Sequence, residues 1–147
     1  MEQSRKHLKI TSIIILIFAG LTLVNLLVEL FWGGMFDNVT IPDGSPENIV
    51  QITQIFLLVF TVICLLPQVY IGIKGLLIAK KPNSSKGHIV WAIILFVLVI
   101  LSLISPISAI INKEDIWDNV NSIASILLEA VILFDYIRYA RAVSRIN

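Results

Sequence analysis

Four long apolar segments constrain what this chain can fold into. They cover about residues 9–33, 47–79, 88–112 and 116–142 of the 147-residue sequence. Each is long enough to cross a hydrocarbon layer of about 30 Å as an α-helix, which satisfies its backbone hydrogen bonds within one segment. The remaining stretches are too short to bury a core of their own. We therefore predict an all-α, polytopic membrane protein, with residues 1–147 forming a single four-transmembrane-helix bundle and no soluble domain.

The basic residues lie almost entirely on one side of the predicted membrane. Of the 11 Lys and Arg residues, only Lys113 falls on the other side. Because basic residues in short loops stay in the cytoplasm, we predict that both termini are cytoplasmic (N-in/C-in). The small size of the chain and its short loops favour the plasma membrane. We expect this basic rim to contact anionic lipid head groups, and we expect no nucleic-acid partner. The basic rim comprises Arg5, Lys6, Lys9, Lys74, Lys80, Lys81, Lys86, Arg138, Arg141 and Arg145.

Carboxylic acids within the predicted spans are the strongest candidates for a functional site. Ionisable side chains are costly there and normally face the protein interior. Glu29 follows Asn25, and Glu129 follows Ser125, at the four-residue spacing that places both members on one helix face. If the polar faces converge, they form a site for a small cation or a proton; alternatively, they only hydrogen-bond across helices and hold the spans together. The candidate ion- or proton-binding residues are Glu29, Glu129, Asn25, Gln51, Gln54 and Ser125.

Two prolines and a pair of glycines mark special positions along the spans. Pro67 and Pro106 each remove a backbone donor and crowd the preceding turn, so we predict kinks there and treat both as candidate hinges. Gly72 and Gly75 give the second helix a small-residue surface, which is typical of close helix packing.

Polar side chains near the predicted span ends are expected to face the lipid–water interface. Tyr136 is one of several aromatic residues there, and we predict that it is an interfacial anchor. His88 follows a basic loop, which favours contact with head groups. Asp135 precedes Arg138 by three residues, a spacing that favours a local ion pair.

Motifs of catalysis and cofactor binding are missing from the sequence. The single cysteine, Cys64, lies in an apolar segment, which excludes a disulfide framework and a CxxC redox pair. No HExxH, GxSxG or Gly-rich phosphate loop occurs. We therefore predict that the protein is not an enzyme and has no metal site and no cofactor.

A short stretch of the second span resembles a known transporter motif. Leu66-Pro67-Gln68-Val69, with the basic and polar loop that follows, is similar to the Pro-Gln dipeptide of PQ-loop transporters. The resemblance would make Pro67 and Gln68 a gating pair. The spacing from Pro67 to Gly87 is longer than in that motif, and four spans do not fit its three-helix repeat. We therefore do not assign the chain to that family.

Two functional hypotheses follow from these features. The first is a non-enzymatic accessory or interaction protein, immunity-like or regulatory, that binds another membrane protein. The alternative is an oligomeric channel or transporter subunit for a small cation or proton, in which the intramembrane carboxylates bind the ion. An intramembrane enzyme acting on lipid lacks a nucleophile and base in any recognisable arrangement.

Overall fold

Helices account for nearly all of the described chain. The computed structural model describes residues 2–32, 43–44, 48–81 and 85–145, and within these ranges there is no β-strand. The helices are α1 (Glu2–Trp32), α2 (Ile49–Lys80), α3 (Gly87–Ser102), α4 (Ile104–Ile111) and α5 (Ile116–Ser144). The all-α prediction is confirmed. The predicted end of the first helix at 33 and the predicted start of the second at 47 lie outside the described residues.

Four stretches of helix are long and apolar enough to cross a membrane. They are α1, most of α2, the stretch Gly87–Ile111 that contains α3 and α4, and α5. Each spans at least 25 residues, more than the roughly 20 that a hydrocarbon layer requires. The prediction of a multi-pass helical membrane protein is confirmed at this level.

The third span differs from prediction because it is two helices rather than one. The α-helix stops at Ser102 and resumes at Ile104, and the amide of Leu103 bonds the carbonyl of Ile100 in a tighter turn, at 3.2 Å. Pro106 explains the position of the break, because its missing N–H and its ring affect the carbonyl four residues earlier, that of Ser102. The hydroxyl of Ser102 turns back to the carbonyl of Val99 at 2.6 Å. Pro67, by contrast, lies inside the uninterrupted helix α2, and its role as a hinge stays a prediction.

The helices pack as neighbouring pairs. Helix α1 packs against α2 and α5, and α3 packs against the same two helices. The next helix, α4, continues along α5. Contacts such as those of Gly75 with Ser12 and of Tyr139 with His7 show that the start of α1 meets the end of α2 and the end of α5. We call this the basic end of the molecule and the opposite one the far end.

Tight packing is concentrated in the half of the molecule near the basic end. No described side chain is buried between residues 49 and 70 of α2 or between residues 116 and 129 of α5. The far half therefore presents most of its side chains outward. The buried hydrophobic residues are Leu8, Ile15, Ala19, Leu26, Ile71, Ile78, Ile89, Ala92, Leu95, Val99, Ala130, Leu133, Tyr136, Ile137, Ala140 and Val143.

Candidate functional site

A hydrogen bond between two spans holds the most deeply placed carboxylate. The amide Nε2 of Gln68 on α2 donates to the carboxylate oxygen Oε1 of Glu129 on α5, at 3.1 Å. Both side chains are half-buried, and they are separated by 61 residues in the chain. In hydrocarbon, a carboxyl group without a partner is costly, so this amide stabilises Glu129 inside the membrane.

A small cavity adjoins this pair. Its volume is about 20 Å³, which is room for about one water molecule. Apart from Gln68 and Glu129 its walls are apolar, so these two side chains supply the polar groups that a bound water or proton would meet. The cavity is lined by Ile15, Phe18, Gln68, Glu129, Ile132 and Leu133.

The polar residues of the far half do not join Glu129 in one cluster. On α1, Asn25 donates its amide hydrogen to Glu29 Oε1 at 2.9 Å, and this pair is exposed on the helix surface. On α5, the hydroxyl of Ser125 bonds the carbonyl of Asn121 in its own helix at 3.1 Å. The partner of Glu129 is instead Gln68. The two carboxylates therefore belong to separate hydrogen-bonded pairs, with Glu29 near the far end and Glu129 deeper.

The glutamines at the start of α2 have no hydrogen bond to either carboxylate among the described side chains. Gln51 is exposed and Gln54 is half-buried. The helical spacing predicts which residues share a face. It does not predict how far each helix is rotated about its axis, and that rotation decides which faces meet.

Close packing at the glycines confirms the predicted small-residue surface. A Cβ atom placed on Gly72 would lie 2.6 Å from Leu16 Cγ, and one placed on Gly75 would lie 2.6 Å from Tyr136 Cε2 and closer still to the hydroxyl of Ser12. Real Cβ atoms do not approach other atoms so closely. Glycine is therefore required at position 75 for α1 and α5 to approach α2 as they do, whereas a larger residue at position 72 would displace the side chain of Leu16.

Tyr136 is a buried link between helices and not an interfacial anchor. Its side chain is 0% exposed, and its hydroxyl donates to the backbone carbonyl of Ile71 at 2.8 Å. The ring fits the space that Gly75 leaves on α2. The anchor prediction failed because proximity to a span end does not tell which way a tyrosine points.

His88 is also buried, contrary to the predicted contact with head groups. Its side chain is 0% exposed, and its ring meets the Tyr136 ring edge-on with 6.1 Å between centroids. Neither ring nitrogen has a hydrogen-bond partner among the described residues. The expected pairing of Asp135 with Arg138 is corrected as well, because the Arg138 guanidinium lies over the Tyr139 ring, 5.8 Å from its centroid.

Gln68, which the resemblance to the PQ-loop motif named as half of a gating pair, was not among the predicted ion- or proton-binding residues. It is the only side-chain amide in the second half of α2, and a lone amide at that depth is the signal that could have marked it as the partner of an acid on another span. Within the described ranges, no group of three or more His, Cys, Asp or Glu side chains is arranged to hold a metal ion. Comparisons of this chain with protein-family models, with curated proteins and with solved structures found no match.

Proposed function

We propose that this chain is a non-enzymatic accessory protein, immunity-like or regulatory, that acts by binding another membrane protein within the bilayer. The observation that carries the proposal is the Asn25–Glu29 pair, which is hydrogen-bonded along α1 and exposed at the helix surface. Polar side chains on a span drive helix association because lipid tails offer them no hydrogen bonds. A partner helix can donate hydrogen bonds to Glu29, whereas lipid tails cannot.

The loose far half supports the same proposal. Leu21 and Val24, on α1 beside the polar pair, are 60% and 56% exposed. Helix association in membranes depends on van der Waals packing, so an unpacked set of side chains around a polar pair can accept a further helix. The tightly packed basic half provides a stable base for that surface.

The orientation of the chain belongs to the same proposal. The described basic residues are concentrated at the end where α1 begins and α5 ends, and by the positive-inside rule that end lies in the cytoplasm. The Asn25–Glu29 pair then lies toward the outer surface of the plasma membrane. A partner then contacts this pair through the outer halves of its own spans or through its outer loops.

Quantitative co-purification tests the proposed association. The full chain, extracted from its native membrane in mild detergent, should retain one membrane protein at a fixed ratio, and Asn25→Leu/Glu29→Leu should retain at least tenfold less. Ser122→Ala/Ser125→Ala is the matched control, since those hydroxyls bond carbonyls of their own helix, and it should retain the partner fully. Equal retention by both variants contradicts the proposal. The mass of the retained protein distinguishes a second copy from a different chain.

A second candidate function rests on a different observation, the Gln68–Glu129 pair beside its small cavity. This arrangement favours the alternative of an oligomeric channel or transporter subunit that passes a proton or small cation by way of Glu129. Room for about one water is not a continuous path, so the path would form between copies. Proton and cation flux into liposomes tests it: flux that Glu129→Gln abolishes and Asn25→Leu/Glu29→Leu leaves intact favours transport, and the absence of flux above empty liposomes rules it out.

A further inference from the structure

A groove at the basic end runs between the start of α3 and the end of α5. Its volume is about 330 Å³, within the range of about 300–1,000 Å³ that is usual for small-molecule sites. One part of its wall is basic and the other is aliphatic. The lining residues are Lys86, Ile89, Val90, Ile93, Arg141, Ser144 and Arg145.

We infer that this groove binds one anionic phospholipid, with its phosphate held by the basic residues and an acyl chain along the aliphatic wall of α3. The inference is independent of which membrane protein the chain binds, because the groove lies at the opposite end of the molecule from the Asn25–Glu29 pair.

The charge of the groove selects an anion. Lys86 comes directly before α3, Arg141 lies in the last turn of α5, and Arg145 follows that helix. Three positive charges from two helices face one space whose described lining contains no acidic side chain. Guanidinium groups bind phosphate oxygens through paired hydrogen bonds, and the free N–H groups in the first turn of α3 add to the same potential. More than one negative charge on the head group therefore suits this site best.

The aliphatic wall distinguishes a lipid from a soluble anion. Ile89, Val90 and Ile93 lie along one side of α3, on the membrane side of Lys86. Val90 is 54% exposed, so the wall is open to a chain lying against it. Free phosphate gains nothing from this wall, whereas an acyl chain covers the exposed side chain of Val90 and the exposed part of Ile93.

The position of the basic residues matches the depth of a phospholipid head group. The third span begins at Gly87, directly after Lys86, and the fourth ends at Ser144, directly before Arg145. Charges at span ends lie at the level of lipid phosphates, and long basic side chains can reach them without leaving the interface. The groove therefore has its basic residues at the level of the phosphate and its apolar wall deeper in the membrane. A phospholipid has its head group and acyl chains in the same order.

Lipid titration monitored by native mass spectrometry tests this site on the full chain in detergent. One molecule of cardiolipin or phosphatidylglycerol should bind at least tenfold more tightly than phosphatidylcholine. Lys86→Gln/Arg141→Gln/Arg145→Gln should weaken that binding about 100-fold, because each basic side chain near an anionic head group contributes about fivefold. The matched control, Lys6→Gln/Lys80→Gln/Lys81→Gln, removes three exposed charges of the basic rim outside the groove and should change affinity less than threefold.

A second variant separates a lipid from free phosphate. Val90→Trp fills the aliphatic wall and leaves all three charges in place, so it should weaken lipid binding about tenfold, and inorganic phosphate at millimolar concentration should not displace the lipid. Displacement by phosphate, together with unchanged binding in Val90→Trp, would overturn the lipid assignment in favour of a soluble anion. Equal weakening by the two triple variants would show only a diffuse basic surface and would also overturn it.

Discussion

The hydroxyl of Tyr136 on α5 donates a hydrogen bond to the backbone carbonyl of Ile71 on α2, at 2.8 Å. The tyrosine ring occupies the space that the absent side chain of Gly75 leaves one turn further along α2. This pairing of a large side chain with a small one brings the two helices together in the tightly packed half of the molecule. Single substitutions can measure how much this pairing contributes to the free energy of unfolding.

Gly75→Ala should destabilise the protein by up to about 2 kcal/mol. The new Cβ would meet the Tyr136 ring and the Ser12 hydroxyl, and overpacking of this kind costs about 1–3 kcal/mol, more than the roughly 1 kcal/mol that alanine gains over glycine in a helix. Thermal unfolding in detergent measures the change. Gly20→Ala is the control, since a Cβ there meets no atom within 4 Å, and it should be neutral or stabilising. Equal stability of the two variants would contradict the packing described for α2.

Tyr136→Phe should cost about 0.5–1.5 kcal/mol, the usual contribution of one hydrogen bond. The substitution keeps the ring in place and removes only the hydroxyl that bonds Ile71. Tyr139→Phe, on the same helix but only half-buried, should leave the free energy of unfolding unchanged. An unchanged midpoint for Tyr136→Phe would show that this hydroxyl does not contribute to stability.

His88→Leu should be neutral or stabilising by up to about 1 kcal/mol. The histidine is buried without a hydrogen-bond partner among the described residues, and a buried polar group in that condition costs about 1–3 kcal/mol relative to an apolar one. Leucine is close to histidine in volume, so it fills the space beside Tyr136 without overpacking it. A loss of more than 1 kcal/mol on thermal unfolding would mean that a ring nitrogen of His88 has a partner in the native membrane.

Pro106→Ala should convert α3 and α4 into one continuous helix. Alanine supplies the amide that can bond the carbonyl of Ser102, and it removes the ring that crowds that turn. Amide hydrogen exchange reports the change, with slower exchange at Leu103 and at the new amide of residue 106. Pro67→Ala is the matched control, because α2 is already continuous through Pro67. Unchanged exchange at Leu103 would show that something other than Pro106 breaks the helix.

The spans could be predicted from the sequence because length and apolarity alone determine them. In lipid, a predominantly apolar segment of 25 or more residues satisfies its backbone hydrogen bonds most simply as a membrane-crossing helix. An irregularity in the third span was predictable from Pro106. It occurs at Leu103 and not at the proline, because proline disrupts the hydrogen bonding of the turn that precedes it.

The partner of Glu129 could not be predicted, because it depends on how α2 and α5 are rotated and how far each is shifted along its axis. Helical spacing connects Glu129 to Ser125 on its own helix, whereas Gln68 is 61 residues away in the chain. The burial of Tyr136 could not be predicted for the same reason. Gly72 and Gly75 indicated that helices approach closely there. The sequence does not tell which large side chain fills the space, because that depends on how the helices pack.

Site-specific photocross-linking in the native membrane tests the proposed association most directly. A photoreactive residue at Thr22, on the face of α1 that carries Asn25 and Glu29, should form one discrete protein adduct of defined mass. The same residue at Leu27, which is 44% exposed on another face of α1 at similar depth, should form lipid adducts alone. The Thr22 adduct should disappear in Asn25→Leu/Glu29→Leu. Lipid adducts alone at both positions would contradict the account, because the polar face of α1 would then have no protein partner.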